Sequence, residues 1–223
     1  MAAFLANVGV NSGHAARSPL FADGRFLMLP VPEKARWSPP MLRLSDVPGL
    51  AAHAPARWHD KAVHLDPDLY SPTRTYGDNC RRAGRAFSLR RAMPGDLIVF
   101  LARLCEPDAT AGFHLTGSLV VEEVLQDVTS EPGPGWWDRN AHVRHARATN
   151  CWDSFWVFKG EASRSRALSR AHEFRRPQAE AVFGRGWHWR PTRSELQTIG
   201  SYTRAVRRVE GGGEEWLRKI CLS

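Results

Sequence analysis

Two apolar runs near the middle of the chain limit the folds open to it. "MPGDLIVFLARL" begins with a Pro-Gly-Asp turn and continues as an apolar run from Leu97 to Leu101. "GFHLTGSLVVEEVL" carries a second run from Phe113 to Val124. The intervening "CEPDATA" is rich in turn formers, so the two runs are expected to pair as an antiparallel hairpin. "SFWVFKG" adds a third strand whose aromatic and β-branched content suits a half-buried sheet. Near the N-terminus, Ala3 to Val10 alternates weakly and reads as a strand. The Asp23-Gly24 turn then leads into a strand from Phe26 to Val31, closed by Pro30 and Pro32.

Helical periodicity is weaker. "ASRSRALSRAHEF" reads as a helix with Ser163 as its N-cap and Leu168, Ala171 and Phe174 on one face. "TRSELQTIGSYTRAVRRVE" carries a Thr192–Glu195 capping box. At 100° per residue it places Leu196, Ile199, Tyr202, Thr203, Val206 and Val209 opposite Arg193, Gln197, Arg204, Arg207 and Arg208. The glycines at 211–213 read as a flexible break. Residues 33–75 are rich in Pro, Ala, Arg and His, and are expected to form a long surface excursion with one short helix near "RLSDVPGL". The expected fold is α+β, with a mainly antiparallel, barrel-like sheet and a few flanking helices.

A chain of 223 residues can bury a core without staples. No stretch approaches the ~18 consecutive apolar residues of a membrane helix. Asn7 interrupts the first apolar run, so no signal peptide is read. Cys80, Cys105, Cys151 and Cys221 are scattered, which predicts free thiols and a cytoplasmic setting. The net charge of +8 and the arginine-dominated cations match the footprint of a nucleic-acid binder. An alanine- and arginine-rich chain is also what a GC-rich genome yields, so charge alone does not decide.

Several chemistries lack their motifs. There is no P-loop, no Rossmann glycine fingerprint and no GxSxG elbow. His142 and His145 stand three apart in "HVRH", but no cysteine or carboxylate lies at a zinc spacing, so neither metal nor cofactor is expected. Two polar clusters remain. The first, "NVGVNSGHAARS", holds Asn7, Asn11, His14, Arg17 and Ser18, more hydrogen-bonding groups than a turn needs. The second, "DPDLYSPTRTYGDNC", holds Asp66, Asp68, Thr75, Tyr76, Asp78 and Asn79, an aromatic among acceptors that suits base stacking and edge recognition. Tryptophans in "GWWD", "CWDSFW" and "GWHW" could line an aromatic pocket, although most tryptophans are core.

The order of these motifs resembles the prokaryotic and viral family named nucleotide modification associated domain, type three. The resemblance runs from Ala3 to about Arg170, through "NVGVN…SPLFADGRF…LPVPE", "HLDPDLY…TYGD", the central hairpin, "NAH" and "VFKG…SR". The matching positions are Asn7, Asn11, Ser18, Asp23, Glu33, Asp66, Thr75, Tyr76, Asp78, Asn140 and His142. The resemblance implies a role in systems that alter or handle modified bases. The hairpin also resembles that of PUA-like barrels, which implies a base-holding pocket. The expected organisation is a PUA-like domain over residues 1–175 and a Trp/Arg-rich extension with one amphipathic helix over residues 176–223, packed on the same domain.

Two functions follow. In the first, the domain recognises a modified base in DNA or a modified nucleotide. Asn7, Asn11, His14, Ser18, Thr75, Tyr76, Asp78, Asn140 and His142 face the nucleotide, and Arg17, Arg204 and Arg208 hold phosphate. In the second, the domain is an enzyme with His14 as acid or base and Asp23, Glu33 or Asp78 as its carboxylate partner. No membrane partner is expected.

Overall fold

The structure is a computed structural model that describes residues 1–106, 108, 110–184 and 189–222. Its strands are β1 (Ala3–Val8), β2 (Ser18–Pro19), β3 (Val31–Pro32), β4 (Leu42–Arg43), β5 (Ala62–His64), β6 (Thr75–Asp78), β7 (Leu97–Cys105), β8 (Ala111–Val128), β9 (Phe155–Gly160), β10 (Arg166–Glu173) and β11 (Arg207–Val209). Its α-helices are α1 (Ala141–Thr149), α2 (Arg176–Phe183), α3 (Glu195–Tyr202) and α4 (Gly212–Leu222).

The two central apolar runs form β7 and β8, paired antiparallel as expected. The strand path is β11-β1-β7-β8-β9-β6, with β2 on β7 and β10 on β8. This mixed α+β sheet is largely antiparallel, but β1 and β2 lie parallel to β7. The path begins at β11 and ends at β6 without joining, so the sheet is open and not a closed barrel.

Strand alternation divides the core into two layers. Phe4, Ala6, Val8, Ile98, Phe100, Leu119 and Phe158 pack on one face with Tyr76 and Trp156. Ala3, Leu5, Leu97, Val99, Leu101 and Val120 pack on the other, beneath residues of α2, α3 and α4. Burial on both faces explains why β7 reads as a continuous apolar run. A separate small sheet, β3-β5-β4, has its own core of Leu29, Leu44, Leu50, Trp58 and Val63. Helix α1 packs Val143 and Ala146 against Val128, Phe155 and Val157, with Trp136, Trp137 and Trp152 around them.

Several sequence expectations fail for physical reasons. The segment 163–174 is strand β10 and not a helix, because the edge of β8 beyond β9 needs backbone partners. The C-terminal helix stops at Tyr202, and Arg207–Val209 turns back as β11 to cover the edge of β1. Its N-cap is Ser194, whose side chain accepts from Gln197 N, and not Thr192. Arg204, Arg207 and Arg208 therefore do not form one helical row. The glycines at 211–213 lead directly into α4. The strand expected at 26–31 is reduced to a bridge at Phe26 and the start of β3, and residues 33–75 hold three short 3₁₀ turns and two strands of the small sheet. Trp187 of "GWHW" and parts of the loop joining β7 and β8 lie outside the described residues. No described helix is long and apolar enough to cross a membrane. The four cysteines are free.

Candidate functional site

Residues far apart in sequence converge where the small sheet, β6 and the start of α1 meet. Asn140 caps α1, its side-chain oxygen accepting from His142 N at 2.9 Å. Its amide nitrogen donates to Asp66 Oδ2 and to Thr75 Oγ1, each at 3.3 Å. Asp66 Oδ2 also accepts from Gly77 N at 2.8 Å. Gly77 is required for this approach: a Cβ there would lie 2.6 Å from His142 Cδ2 and 2.8 Å from Asn140 Oδ1.

Two residues before Asp66, His64 ends β5. Glu33 extends β3, its N–H donating to Ala62 O, and its carboxylate meets His64 Nδ1 at 3.0 Å. His145, one turn along α1 from His142, brings its Nδ1 to 3.3 Å from the same Glu33 oxygen. The Nε2 atoms of His64 and His142 lie 3.9 and 3.8 Å from Asp66 Oδ2. Their rings meet edge to face at 4.4 Å.

The electrostatics of this cluster are strongly perturbed. Burial lifts the Asp66 carboxyl to about 8, against the opposing effects of the His64 charge and the Gly77 N–H. For His64, burial works downward, but the Glu33 hydrogen bond and the charges of Asp66 and Glu33 outweigh it and raise the group. Burial and the nearby His64 charge push His142 well below the ordinary histidine value. Glu33 is lowered overall, because His64 and His145 overcome the upward effect of burial.

Two cavities adjoin. One, of ≈340 Å³, is lined almost entirely by apolar groups, including Phe26, Met28, Leu65, Leu69 and Tyr70, together with Thr116 and Asp66. The Asp66 side chain is 3% exposed, and its Oδ1 has no hydrogen-bond partner. The other cavity, of ≈830 Å³, is polar and is lined by Asn7, Asn11, Arg85, Arg103, Gln197 and Arg204 among others. Gly9 lines both.

The fold thus unites Glu33, Asp66, Thr75, Asn140 and His142 of the expected residues and adds His64 and His145. The i, i+3 pair "HVRH" was one available signal, since its two histidines share one side of α1, and His64 and Asp66 stand two apart where β5 ends. Their common partners come from other segments, which spacing does not reveal.

The remaining expected residues fall elsewhere. Tyr76 is 2% exposed between Phe100 and Phe158, so it has no open face for a base. Its hydroxyl donates to Asp78 Oδ2 at 2.6 Å, which Arg85 also holds at 2.9 Å. Arg85 further donates to Asn7 O, and Asn7 reaches Thr203 Oγ1. Ser18 is buried and accepts from Leu29 N. Arg17 folds back on the carbonyls of Ser12, His14 and Ala16, closing its own loop instead of waiting for phosphate. His14 accepts from Asn11 N and sits by Trp58. None of its three expected carboxylate partners pairs with it: Asp23 holds Arg25, Glu33 holds His64 and Asp78 holds Arg85. Arg208 pairs with Glu210.

Comparison with known proteins bears on what this arrangement serves. A family model described as nucleotide modification associated domain 3 matches residues 3–217. The chain belongs to that family. The match continues beyond the N-terminal motifs through α3, β11 and half of α4, so these elements are part of the family's domain. No curated protein and no solved structure matches the chain.

Proposed function

We propose that this nucleotide modification associated domain holds a nucleobase in the ≈340 Å³ apolar cavity and the attached phosphates in the adjoining arginine-lined cavity. The observation that carries the reading is Asp66, a buried carboxyl in the lining of an almost wholly apolar cavity. A nucleobase has apolar faces and a polar edge. Phe26, Met28 and Leu69 suit the faces, Tyr70, 74% exposed, suits the entrance, and the Asp66 carboxyl suits an exocyclic amine. Stacking supplies ~1–3 kcal/mol per base. A hydrogen bond from the base edge to the Asp66 carboxyl contributes about 1 kcal/mol, so selectivity between base edges resides there.

The larger cavity supplies the anion site. No carboxylate pairs with Arg103 or Arg204 among the described residues, and Arg103 Nε is buried without a partner. Because Gly9 lines both cavities, one nucleotide can span them.

The test is binding of nucleoside monophosphates and of short oligonucleotides, plain and base-modified, at two salt concentrations. Arg103→Gln is expected to weaken all nucleotides alike by about tenfold and to flatten the salt dependence. Asp66→Asn is expected to change the ranking of bases. An unchanged ranking in the Asp66 variant refutes the base assignment.

A second reading is that the bound base is also a substrate. It draws on the Glu33–His64–Asp66–His142 cluster beside the same cavity and not on His14. Conversion of a bound nucleotide by the wild-type chain, abolished in His142→Gln with binding retained, separates an enzyme from a reader.

A further inference from the structure

His64, Asp66 and His142 gather three ligand atoms that do not hydrogen-bond to one another. Both imidazole Nε2 atoms stand 3.8–3.9 Å from Asp66 Oδ2, beyond hydrogen-bond distance, and all three residues offer ligand atoms within 4.8 Å of one another. Asp66 Oδ1 is buried and unpaired. Three donor atoms held close without bonding one another leave room for an electrophile between them.

We infer that His64, Asp66 and His142 bind a divalent transition-metal ion. Two imidazoles and one carboxylate form a donor set suited to zinc, cobalt or iron(II), and imidazole argues against magnesium or calcium. In a tetrahedral zinc site with bonds of ~2.0–2.1 Å, ligand atoms stand roughly 3.4 Å apart. The Asp66–histidine spacings must therefore close by about half an ångström, which side-chain rotation provides.

The surroundings match what a metal site needs. Glu33 accepts from His64 Nδ1, which fixes the ring and turns Nε2 toward Asp66. Such a carboxylate behind a ligating histidine orients the ring and raises its basicity. Gly77 N and Asn140 Nδ2 hold Asp66 Oδ2 in place, and the α1 cap places His142. Glu33 also contacts His145, so the supporting shell reaches a second turn of α1. Three protein ligands leave a fourth position for water or substrate, the arrangement of catalytic rather than structural zinc. The inference draws on the base-binding reading only in placing the ion beside the cavity that Asp66 lines.

Metal binding is measured without nucleotide, so its failure and that of the base-binding reading are distinguishable. The full chain, stripped with a chelator, is titrated with Co²⁺ and followed by visible absorption, then displaced with Zn²⁺ and followed by calorimetry. One equivalent with a visible band of a four- or five-coordinate site is expected in the wild type, and no stoichiometric binding in His64→Ala or His142→Ala. Glu33→Gln is a positioning change: stoichiometry stays at one, and affinity falls about 10–100-fold. A folded, stripped wild-type chain that binds no ion overturns the inference. So does binding that survives loss of either histidine. Should the histidine variants fail to fold, the wild type decides: bound Co²⁺ must shift the ring protons of His64 and His142, and shifts at other histidines alone overturn the assignment.

Discussion

Asn140 is the residue whose loss should be felt most widely, because one side chain serves three elements. It is fully buried, caps α1 through His142 N, and donates to Asp66 Oδ2 and Thr75 Oγ1. Removing the cap in Asn140→Ala costs about 1 kcal/mol. Losing two long side-chain hydrogen bonds in a buried setting costs about 1–2 kcal/mol more. The void left by the amide adds about 1 kcal/mol. The sum, about 3–4 kcal/mol, lowers the midpoint of a chain this size by roughly 6–15 °C. Asn140→Asp keeps an acceptor for His142 N but replaces the donor with a second acceptor facing Asp66, so it recovers only the cap. Denaturant unfolding of the three proteins, with a melting curve beside it, tests the sum. An Asn140→Ala variant within 1 kcal/mol of wild type, or an Asn140→Asp variant equal to it, refutes the account of Asn140 as the link between α1, β6 and Asp66.

Gly77→Ala should destabilise by about 1–3 kcal/mol through the collision of the new Cβ with His142, Asn140 and Asp66; a chain melting like wild type would show the contact to be slack. Arg85→Met leaves Asp78 with Tyr76 and Asn79 N as its partners, and should cost about 1–3 kcal/mol in denaturant unfolding. His114 on β8 is pushed below its ordinary 6.5 by burial, so the folded state binds fewer protons there than the unfolded chain. Its contribution is therefore intact above pH 6.5 and is lost as pH falls from 6.5 toward the depressed folded value. Stability measured against pH should fall less steeply below 6.5 in His114→Gln than in wild type, and equal slopes would discount this residue.

The central hairpin, β1 and β9 were legible because burial on one or both faces dictates long apolar or β-branched runs. Elements that exist only to serve those strands were not. "ASRSRALSRAHEF" has helical spacing, yet the open edge of β8 takes it as β10. "TRAVRRV" continues a helical stripe, yet the edge of β1 takes Arg207–Val209 as β11. In both, unpaired backbone groups of a neighbour outweigh local preference.

The site divides in the same way. Residues near one another in sequence, such as Thr75 and Asp78, stood out as a polar cluster, while Asn140 and His142 were picked out by the family resemblance. The partnerships that give them chemistry span 31 residues for Glu33 and His64, and 74 for Asp66 and Asn140. Tyr76 misled because its neighbours are polar: along β6 its ring turns into the core while its hydroxyl returns to Asp78. His14 misled because the bonds that fix its loop looked, in sequence, like an open binding site.

The apolar cavity has walls of unequal stiffness. Thr116 lies in β8, an 18-residue strand paired with β7, β9 and β10, and is held at a bulge where Phe100 pairs with Gly117 and Leu101 with Leu115. The facing residues, from Phe26 to Leu50 and Leu65 to Tyr70, hang on strands of two or three residues and short 3₁₀ turns. Such segments open locally at far lower free energy than a multiply paired strand. Occupancy should therefore register on one side only: amide exchange slows across the small sheet and its loops, while β8, already protected, barely responds. The side built on short strands is therefore the one expected to adjust to a ligand's thickness.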